Sequence, residues 1–334
     1  MQIETFKIFC DLADSRSFSK AASTNSITQS AVSQQIRALE TRFKVTLIDR
    51  GRRNFSLTVE GKAFLDASKD ILSVYDSLGD RLRELHNVVA GELRIAAIYS
   101  IGLHELPPYL KIFRRQYPDV EVHVEYHRSA QVYSEVLNGD VDLGFVSFPV
   151  PRKGLRIEPF IEDRLVLICH PAHRLAQRSR IRLEEVEGEK FIGFDPDLPT
   201  RKVIDRHLKE HQVAINHTLE FDNIETVKRS VEIENGIAIV PRNTVDAEVR
   251  SGALTAVEIE KPEMKRPIGI LMKRSGSRSA AQREFLGLLE NLRKEHEPAQ
   301  AVAAKAAPEN GKRVVENGAG ESRKEMNGEA RPRG

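Results

Sequence analysis

Small polar side chains between residues 28 and 37 could read the edges of DNA bases. Gln29 and Gln34 each carry an amide that both donates and accepts, which matches the groups that adenine presents in the major groove. Ser30 and Ser33 can reach either base type or a phosphate. Thr28 precedes them as the cap of the helix that would carry them. The predicted DNA-binding residues of this segment are Thr28, Gln29, Ser30, Ser33, Gln34 and Arg37.

Arginines near this segment could supply affinity that does not depend on sequence. Arg50, Arg52 and Arg53 surround a glycine turn, where they would contact phosphate or the minor groove, and Arg37 is expected on phosphate. Up to residue 60, nine Lys and Arg stand against six Asp and Glu. Arg50 could instead pair with a carboxylate inside the fold. Taken alone, the Gln and Ser residues would be typical of a solvated helix face.

A second group of residues lies where predicted strands turn into predicted helices. The N–H groups at a helix start, with a hydroxyl beside them, form an anion site. Ser100 ranks first by this criterion, then Ser129 and Thr200, while Arg201 could pair with a carboxylate. The alternatives are helix capping and a solvated arginine. The predicted small-molecule-binding residues are Ser100, Gly102, Ser129, Thr200, Arg201 and Thr226.

The sequence lacks the motifs of common enzymes. Gly-x-Gly-x-x-Gly, the phosphate-binding Walker pattern and Gly-x-Ser-x-Gly are all missing, which disfavours dinucleotide, nucleotide and serine-hydrolase chemistry. Cys169, His170 and His173 could suggest a metal, but they include a proline between them and have no fourth ligand. We therefore predict no catalytic residues, no metal and no cofactor.

Short helices and a hairpin are predicted to position the DNA-binding residues. Ser17 and Thr28 are natural N-caps of two helices that are separated by a turn of a few residues. Two short helices joined in this way form a helix-turn-helix, here at about 18–37. Strand-like pieces on either side of Gly51 add a wing. The sequence thus predicts an all-α winged helix-turn-helix domain over residues 1–58.

Residues 59–90 are predicted to form a linker helix that dimerises. Thr58 caps this helix, and Phe64, Ile71, Leu78 and Leu85 recur at intervals of seven residues. A second series, offset by four, completes a heptad pattern whose seam needs a partner helix. The alternative is an amphipathic helix that lies on its own domain.

Strands alternating with helices are predicted from residue 91 to residue 295. This alternation indicates parallel sheets with crossover helices. We predict two α/β lobes, about 91–163 plus 267–295 and 164–266, with a ligand cleft between them. Residues 296–334 have almost no large apolar side chains, and we predict a disordered tail there.

The composition limits the classes of protein to consider. The chain has 334 residues, a net charge of +2 and 40% hydrophobic residues, which is typical of a globular protein with two or three domains. No apolar run approaches the length of about 18 residues that a membrane span needs. Two separated cysteines exclude a disulfide framework. With no signal-like leader, we predict a cytoplasmic protein that does not bind membranes.

Several segments of the chain carry a family resemblance. They are Phe18–Ala22 and Thr28–Glu40, followed by Leu47–Arg50, Leu57, Thr58 and Gly61. Together they resemble the LysR-type transcriptional regulator family. The resemblance covers residues 1 to about 295. The chain departs from the family's frequent residues at Ser30, where Pro is common, and at Gln34, where Arg is also common. Asp49 replaces a frequent Glu. The first two departures concern which operator is read.

The resemblance implies a winged helix-turn-helix, a linker helix and a two-lobed, periplasmic-binding-protein-like α/β effector domain. It implies a sequence-specific regulator that binds double-stranded operator DNA, is modulated by a small-molecule inducer, often a carboxylate, and assembles as a tetramer. RNA polymerase is a further candidate partner. Two other hypotheses remain: a small-molecule binding protein whose N-terminal helices contact proteins, and an enzyme built on the α/β lobes.

Overall fold

The computed structural model describes residues 2–49, 55–84, 88–274 and 277–305. No helix in these ranges is both long enough and apolar enough to cross a membrane. Arg50, Arg52 and Arg53 lie outside the described residues. Of the predicted wing, the two strands on either side are described.

The N-terminal region contains three helices, a two-stranded hairpin and a long fourth helix. The predicted caps are confirmed: Ser17 accepts a hydrogen bond from the backbone N–H of Lys20, and Thr28 accepts one from Ala31. Such bonds satisfy N–H groups that have no partner within the helix. The elements are α1 (Ile3–Ser15), α2 (Phe18–Thr24), α3 (Gln29–Phe43), β1 (Ile48–Asp49), β2 (Ser56–Leu57) and α4 (Val59–Glu84).

Helix α4 changes its surroundings along its length. Its first turn is capped by Thr58, whose Oγ1 accepts from the N–H of Gly61 at 2.9 Å. Phe64 then packs against the rings of Phe6, Phe9 and Phe43, so this part of the predicted seam is half-buried against the chain's own N-terminal core. Further along, the apolar side chains are exposed. These are Ile71, Val74, Tyr75, Leu78 and Leu82.

The remaining described chain alternates strands with helices, as predicted. It contains β3 (Gly91–Ala97), α5 (Tyr99–His104), α6 (Leu106–Gln116), β4 (Val120–Tyr126), α7 (Ser129–Asn138), β5 (Leu143–Ser147), β6 (Leu155–Cys169), β7 (Arg180–Ile181), β8 (Lys190–Phe194), α8 (Pro199–Glu210), β9 (Asn216–Phe221), α9 (Ile224–Glu232), β10 (Ala238–Pro241), α10 (Asp246–Ser251), β11 (Thr255–Ile259), β12 (Lys265–Lys273) and α11 (Ala280–Lys305).

The sheets are mixed, which corrects the expectation of parallel sheets. β3 pairs in parallel with β4 and β5, and β8 with β9. The long strand β6, however, pairs antiparallel with β12 as far as Arg164, and then with β10 and β11 from Leu165 onwards. The alternation of strands and helices in the sequence indicates crossover helices. It does not show which strands that are distant in the sequence pair with each other.

Two separate apolar cores lie on either side of the point where β6 changes partners. We call the elements around the first core lobe I (residues 91–163 and 267–293) and those around the second core lobe II (residues 164–266). Strands β6 and β12 run from one lobe into the other. The lobes are therefore linked through two paired strands.

Helix α11 continues past residue 296, where the sequence predicted a disordered tail to begin. It reaches Lys305, so the described helix covers the first ten residues of the predicted tail. The reason is composition, because the segment after the amphipathic part is rich in alanine, the strongest helix former. The rest of the predicted tail, residues 306–334, lies outside the described residues.

Candidate functional site

Helix α3 presents the predicted base-reading side chains on its exposed face. Val32, Ile36 and Leu39 are buried on the opposite face and fix the rotation of the helix on the N-terminal core. Gln29 and Gln34 are exposed. The exposed or half-buried polar set is Thr28, Gln29, Ser30, Ser33, Gln34 and Arg37. None of the six predicted positions of this segment is therefore buried.

Two of these residues also have structural partners. The hydroxyl of Thr28 caps α3 and lies 2.9 Å from that of Ser30. These contacts order the first turn, from which a helix in a major groove reads bases. Glu40, at the other end of α3, accepts from the backbone N–H groups of Leu47 and Ile48 at 3.0 and 3.3 Å. Glu40 thus ties α3 to the hairpin, a role that the sequence analysis missed.

A cavity lies between lobe I and lobe II. Counted to its open mouth, and with the open solvent there included, it encloses about 560 Å³. Three of the predicted residues line it, namely Ser100, Ser129 and Thr200. Other lining residues include Tyr99, His127, Arg128, Ser147, Phe194, Pro199, Asp222, Asn223 and Ile224.

Three helices of nine or more residues begin at the wall of this cavity, in addition to the short helix α5. They are α7 at Ser129, α8 at Pro199 and α9 at Ile224, one from lobe I and two from lobe II. Helix N-termini carry partial positive charge and N–H groups without helical partners. Their convergence gives the cavity a surface that favours an anion.

The remaining predicted small-molecule-binding residues do not line the cavity. Gly102 is buried in α5, where a Cβ would lie 2.2 Å from the ring of Tyr126, so its role is close packing. Thr226 donates its hydroxyl and its N–H to the side-chain oxygen of Asn223, the cap of α9. Neither residue is thus among those that line the cavity.

Arg201 is also turned away from the cavity. Its guanidinium donates to the Asp205 carboxylate, to the Phe194 carbonyl and to Glu220, each at 2.7 Å. The side chain is only 8% exposed, and these contacts join α8 to β8 and β9. This corrects the expectation that Arg201 pairs with a ligand.

Replacing Arg201 with alanine is therefore expected to weaken lobe II and to leave ligand affinity unchanged. The loss of a nearly buried, multiply bonded guanidinium should lower the free energy of unfolding by about 2 kcal/mol, measured by chemical denaturation. Arg180→Ala removes an exposed ion pair with Glu260 and is the control, with an expected change below about 0.5 kcal/mol. Lost ligand affinity at unchanged stability would contradict this assignment.

Ion pairs cross from lobe I to lobe II at the mouth of the cavity. The guanidinium of Arg128 contacts the carboxylates of Asp195, Asp197 and Asp222 at 3.0 to 3.2 Å. Hydrogen bonds from Asn223 and Arg128 lower the pKa of Asp222. The arginine is half exposed, so each of these contacts is weak. Ligand binding could redistribute them at low cost.

Buried charges lie behind the cavity. Arg266 is fully buried beside Asp163, with 3.5 Å between Nη1 and Oδ2. Burial lowers the pKa of Arg266 and raises that of Asp163. Burial also raises the pKa of Glu105, which accepts a hydrogen bond from Asn243 across the lobes. No local sequence pattern identifies these residues, because their burial depends on strand pairing.

The described residues give little support to a metal at the positions considered from the sequence. Burial raises the pKa of the Cys169 thiol to about 11, which disfavours a thiolate ligand. His170 and His173 face Glu234 and Glu189 instead. One other group with ligand-like spacing occurs in the described part of the chain, formed by Glu125, His127 and Glu135.

Comparison with known proteins agrees with this architecture. Residues 3–62 match the model of the bacterial regulatory helix-turn-helix protein, lysR family, and residues 86–293 match the LysR substrate binding domain. A protein from Cyanidium caldarium described as "Probable RuBisCO transcriptional regulator" is 32% identical, over 83% of this chain and 90% of its own. A protein from Synechocystis sp. PCC 6803 with the same description is 31% identical, over 85% and 84%.

Solved structures are similar over the same regions. A full-length OxyR variant from Pseudomonas aeruginosa has a TM-score of 0.70 at 19% identity, covering 88% of this chain and 95% of that one. The regulatory domain of Synechocystis PCC6803 CcmR, solved in complex with 2-PG, has a TM-score of 0.56 at 27% identity, covering 60% and 97%.

The chain belongs to the LysR family. It combines the helix-turn-helix of that family with its effector-binding α/β domain, and it is a transcription regulator rather than an enzyme. The family resemblance predicted from the sequence is thereby confirmed.

Proposed function

We propose that this regulator reads its operator through α3 and responds to a small anion bound between lobe I and lobe II. The observation that carries the ligand proposal is the convergence of α7, α8 and α9 on one cavity beside the hydroxyls of Ser100, Ser129 and Thr200. Each helix N-terminus contributes about 0.3–1 kcal/mol toward a negative charge, and more where it is partly buried. The complex of CcmR with 2-PG supports a small ligand in this type of domain.

The acidic mouth of the cavity is compatible with an anionic ligand. Arg128 pairs with three aspartates there, but it is half exposed, and such pairs contribute about 0–1 kcal/mol each. An anion that recruits Arg128 releases contacts which hold lobe I to lobe II. Ligand binding would then shift the population of lobe arrangements.

Helix α7 gives a physical route from the cavity to the linker helix. It begins at Ser129 in the cavity wall and ends before Asp140, whose carboxylate accepts from Lys69 of α4 at 2.6 Å. A second ion pair joins Lys273 of β12 to Asp70 of α4 at 2.8 Å. A shift of lobe I would thus be transmitted through these ion pairs to α4, which carries the DNA-binding elements.

We also propose that two chains dimerise through α4 and that dimers pair into a tetramer. The exposed stripe on α4 (Ile71, Val74, Tyr75, Leu78 and Leu82) supports the dimer because one helix alone leaves it in water. The tetramer and contact with RNA polymerase rest on the family resemblance. Action on DNA favours the cytoplasm as the location.

Removing the cavity hydroxyls is expected to weaken anion binding. Ser129→Ala and Thr200→Val should each raise the Kd for 2-PG, or for the best ligand from a panel of small carboxylates and phosphates, by about 10-fold, because a hydrogen bond to a charged group is lost. Isothermal titration calorimetry measures the change.

Ser134→Ala is the matched control for these variants. Ser134 is exposed on α7 and bonds only to backbone carbonyls of its own helix among the described residues. Its removal should leave the Kd unchanged. Binding of an anion with wild-type affinity by both cavity variants would contradict a ligand site at the helix starts.

A further inference from the structure

Arg266 occupies an unusual place for a charged side chain. It is completely buried at the start of β12, in register with Asp163 of β6, where these two strands pass between lobe I and lobe II. Arginine is almost never fully buried unless its charge and its donors are satisfied. The contacts of Arg266 therefore indicate its role in the protein.

The ion pair with Asp163 does not satisfy the guanidinium. The closest approach is 3.5 Å, and Nε and Nη1 of Arg266 have no hydrogen-bond partner among the described residues. Asp163 uses its other oxygen to accept from the backbone N–H of Arg164 at 2.7 Å. A purely structural ion pair would be expected to form a shorter, bidentate contact.

The short contact of Arg266 points toward the cavity instead. Its Nη2 donates to Oγ of Ser100 at 2.5 Å, and Ser100 lines the cavity wall. A hydroxyl that accepts from a guanidinium must direct its own hydrogen elsewhere. Within the described part of the chain, no protein group accepts that hydrogen.

We propose that Arg266 is a positioning residue for the effector, which aims the Ser100 hydroxyl hydrogen into the cavity and selects a negatively charged ligand oxygen. This inference rests on the proposed anion site and names its specificity determinant. Accepting a charge-assisted hydrogen bond polarises the hydroxyl and makes it a stronger donor. The guanidinium also places a positive charge behind the contact, which the Asp163 carboxylate at 3.5 Å offsets only in part.

A double-mutant cycle tests the coupling between the two residues. The variants are Ser100→Ala, the pair Arg266→Met with Asp163→Leu, and all three changes together. Replacing both members of the ion pair avoids an isolated buried carboxylate, so the fold is retained, and thermal unfolding checks this. The probes are 2-PG and inorganic phosphate, and calorimetry gives their Kd values.

Coupled loss is the expected result. Ser100→Ala and the double variant Arg266→Met/Asp163→Leu should each raise the Kd by about 10- to 100-fold. The three changes together should raise it by about the same factor, because they all remove one interaction. Arg266→Lys retains the charge and should restore part of the affinity. A structural role alone predicts neither this rescue nor the missing additivity.

Other outcomes overturn the inference in distinguishable ways. The Arg266→Met/Asp163→Leu variant could bind both probes with wild-type affinity while Ser129→Ala binds them more weakly. In that case the role assigned to Arg266 is wrong and the anion site stands. Fully additive losses likewise contradict the action of Arg266 through Ser100. If the wild type binds neither probe, the proposed anion site fails and this inference fails with it.

Discussion

Replacing Gln29 and Gln34 together with alanine is expected to abolish the preference of the protein for its operator. Both side chains are exposed on α3, whose Val32, Ile36 and Leu39 are buried. A well-placed bidentate contact to a base contributes about 1–3 kcal/mol of discrimination. Two such contacts predict a loss of at least about 30-fold in the ratio of operator to scrambled-DNA affinity. Fluorescence anisotropy with both duplexes measures this ratio.

Two further variants separate base reading from general binding. Arg37→Ala should weaken binding to operator and scrambled DNA alike and reduce the salt dependence, because a phosphate contact carries no sequence information. Gln116→Ala changes a glutamine at the end of α6 in lobe I and should have no effect on either duplex. Full operator discrimination by the double glutamine variant would show that another surface reads the bases.

Replacing Gly61 with alanine is expected to destabilise the N-terminal domain severely. A Cβ at this position would lie 2.0 Å from the carbonyl oxygen of Leu47, which also accepts from the backbone N–H of Thr58 at 3.1 Å. The first turn of α4 and the strand β1 would have to separate. Overpacking against backbone of this kind costs about 3 kcal/mol or more. Denaturant unfolding, together with loss of DNA binding, measures the effect.

Gly287→Ala provides the matched control within the same chain. Gly287 also lies in a helix, α11, but nothing lies within 4 Å of the position that a Cβ would take. The substitution should stabilise the helix by about 0.5–1 kcal/mol through higher helix propensity. Equal effects of the two substitutions would contradict the close approach of α4 to β1.

Local signals predicted the DNA-binding elements well. The caps at Ser17 and Thr28 depend on residues three positions away, so they can be recognised from the sequence without knowledge of the fold. Ser129 and Thr200 can also be recognised from the sequence, because they lie at the starts of predicted helices that follow predicted strands. Arg201 was misplaced because one residue turns a helix by about 100°, and this rotation carries its side chain from the cavity into lobe II.

Features that depend on distant pairing could not be predicted in this way. The antiparallel path of β6 and the burial of Arg266 arise from contacts between strands about 100 residues apart in the chain. No local pattern distinguishes Arg266 from a solvated arginine, since its neighbours Lys265 and Pro267 are typical of a strand end. At the end of α11, low hydrophobicity indicates disorder while alanine favours a helix, so composition alone does not fix where the helix ends.

Selection of DNA from a randomised duplex library tests the central claim most directly. The full-length protein would be used to enrich duplexes, and anisotropy would compare an enriched duplex with its scrambled version across a salt series. We expect one recurring motif for the wild type and none for the Gln29→Ala/Gln34→Ala variant. Both affinities should fall as salt rises. Equal affinity of the wild type for enriched and scrambled duplexes would contradict sequence-specific reading through α3.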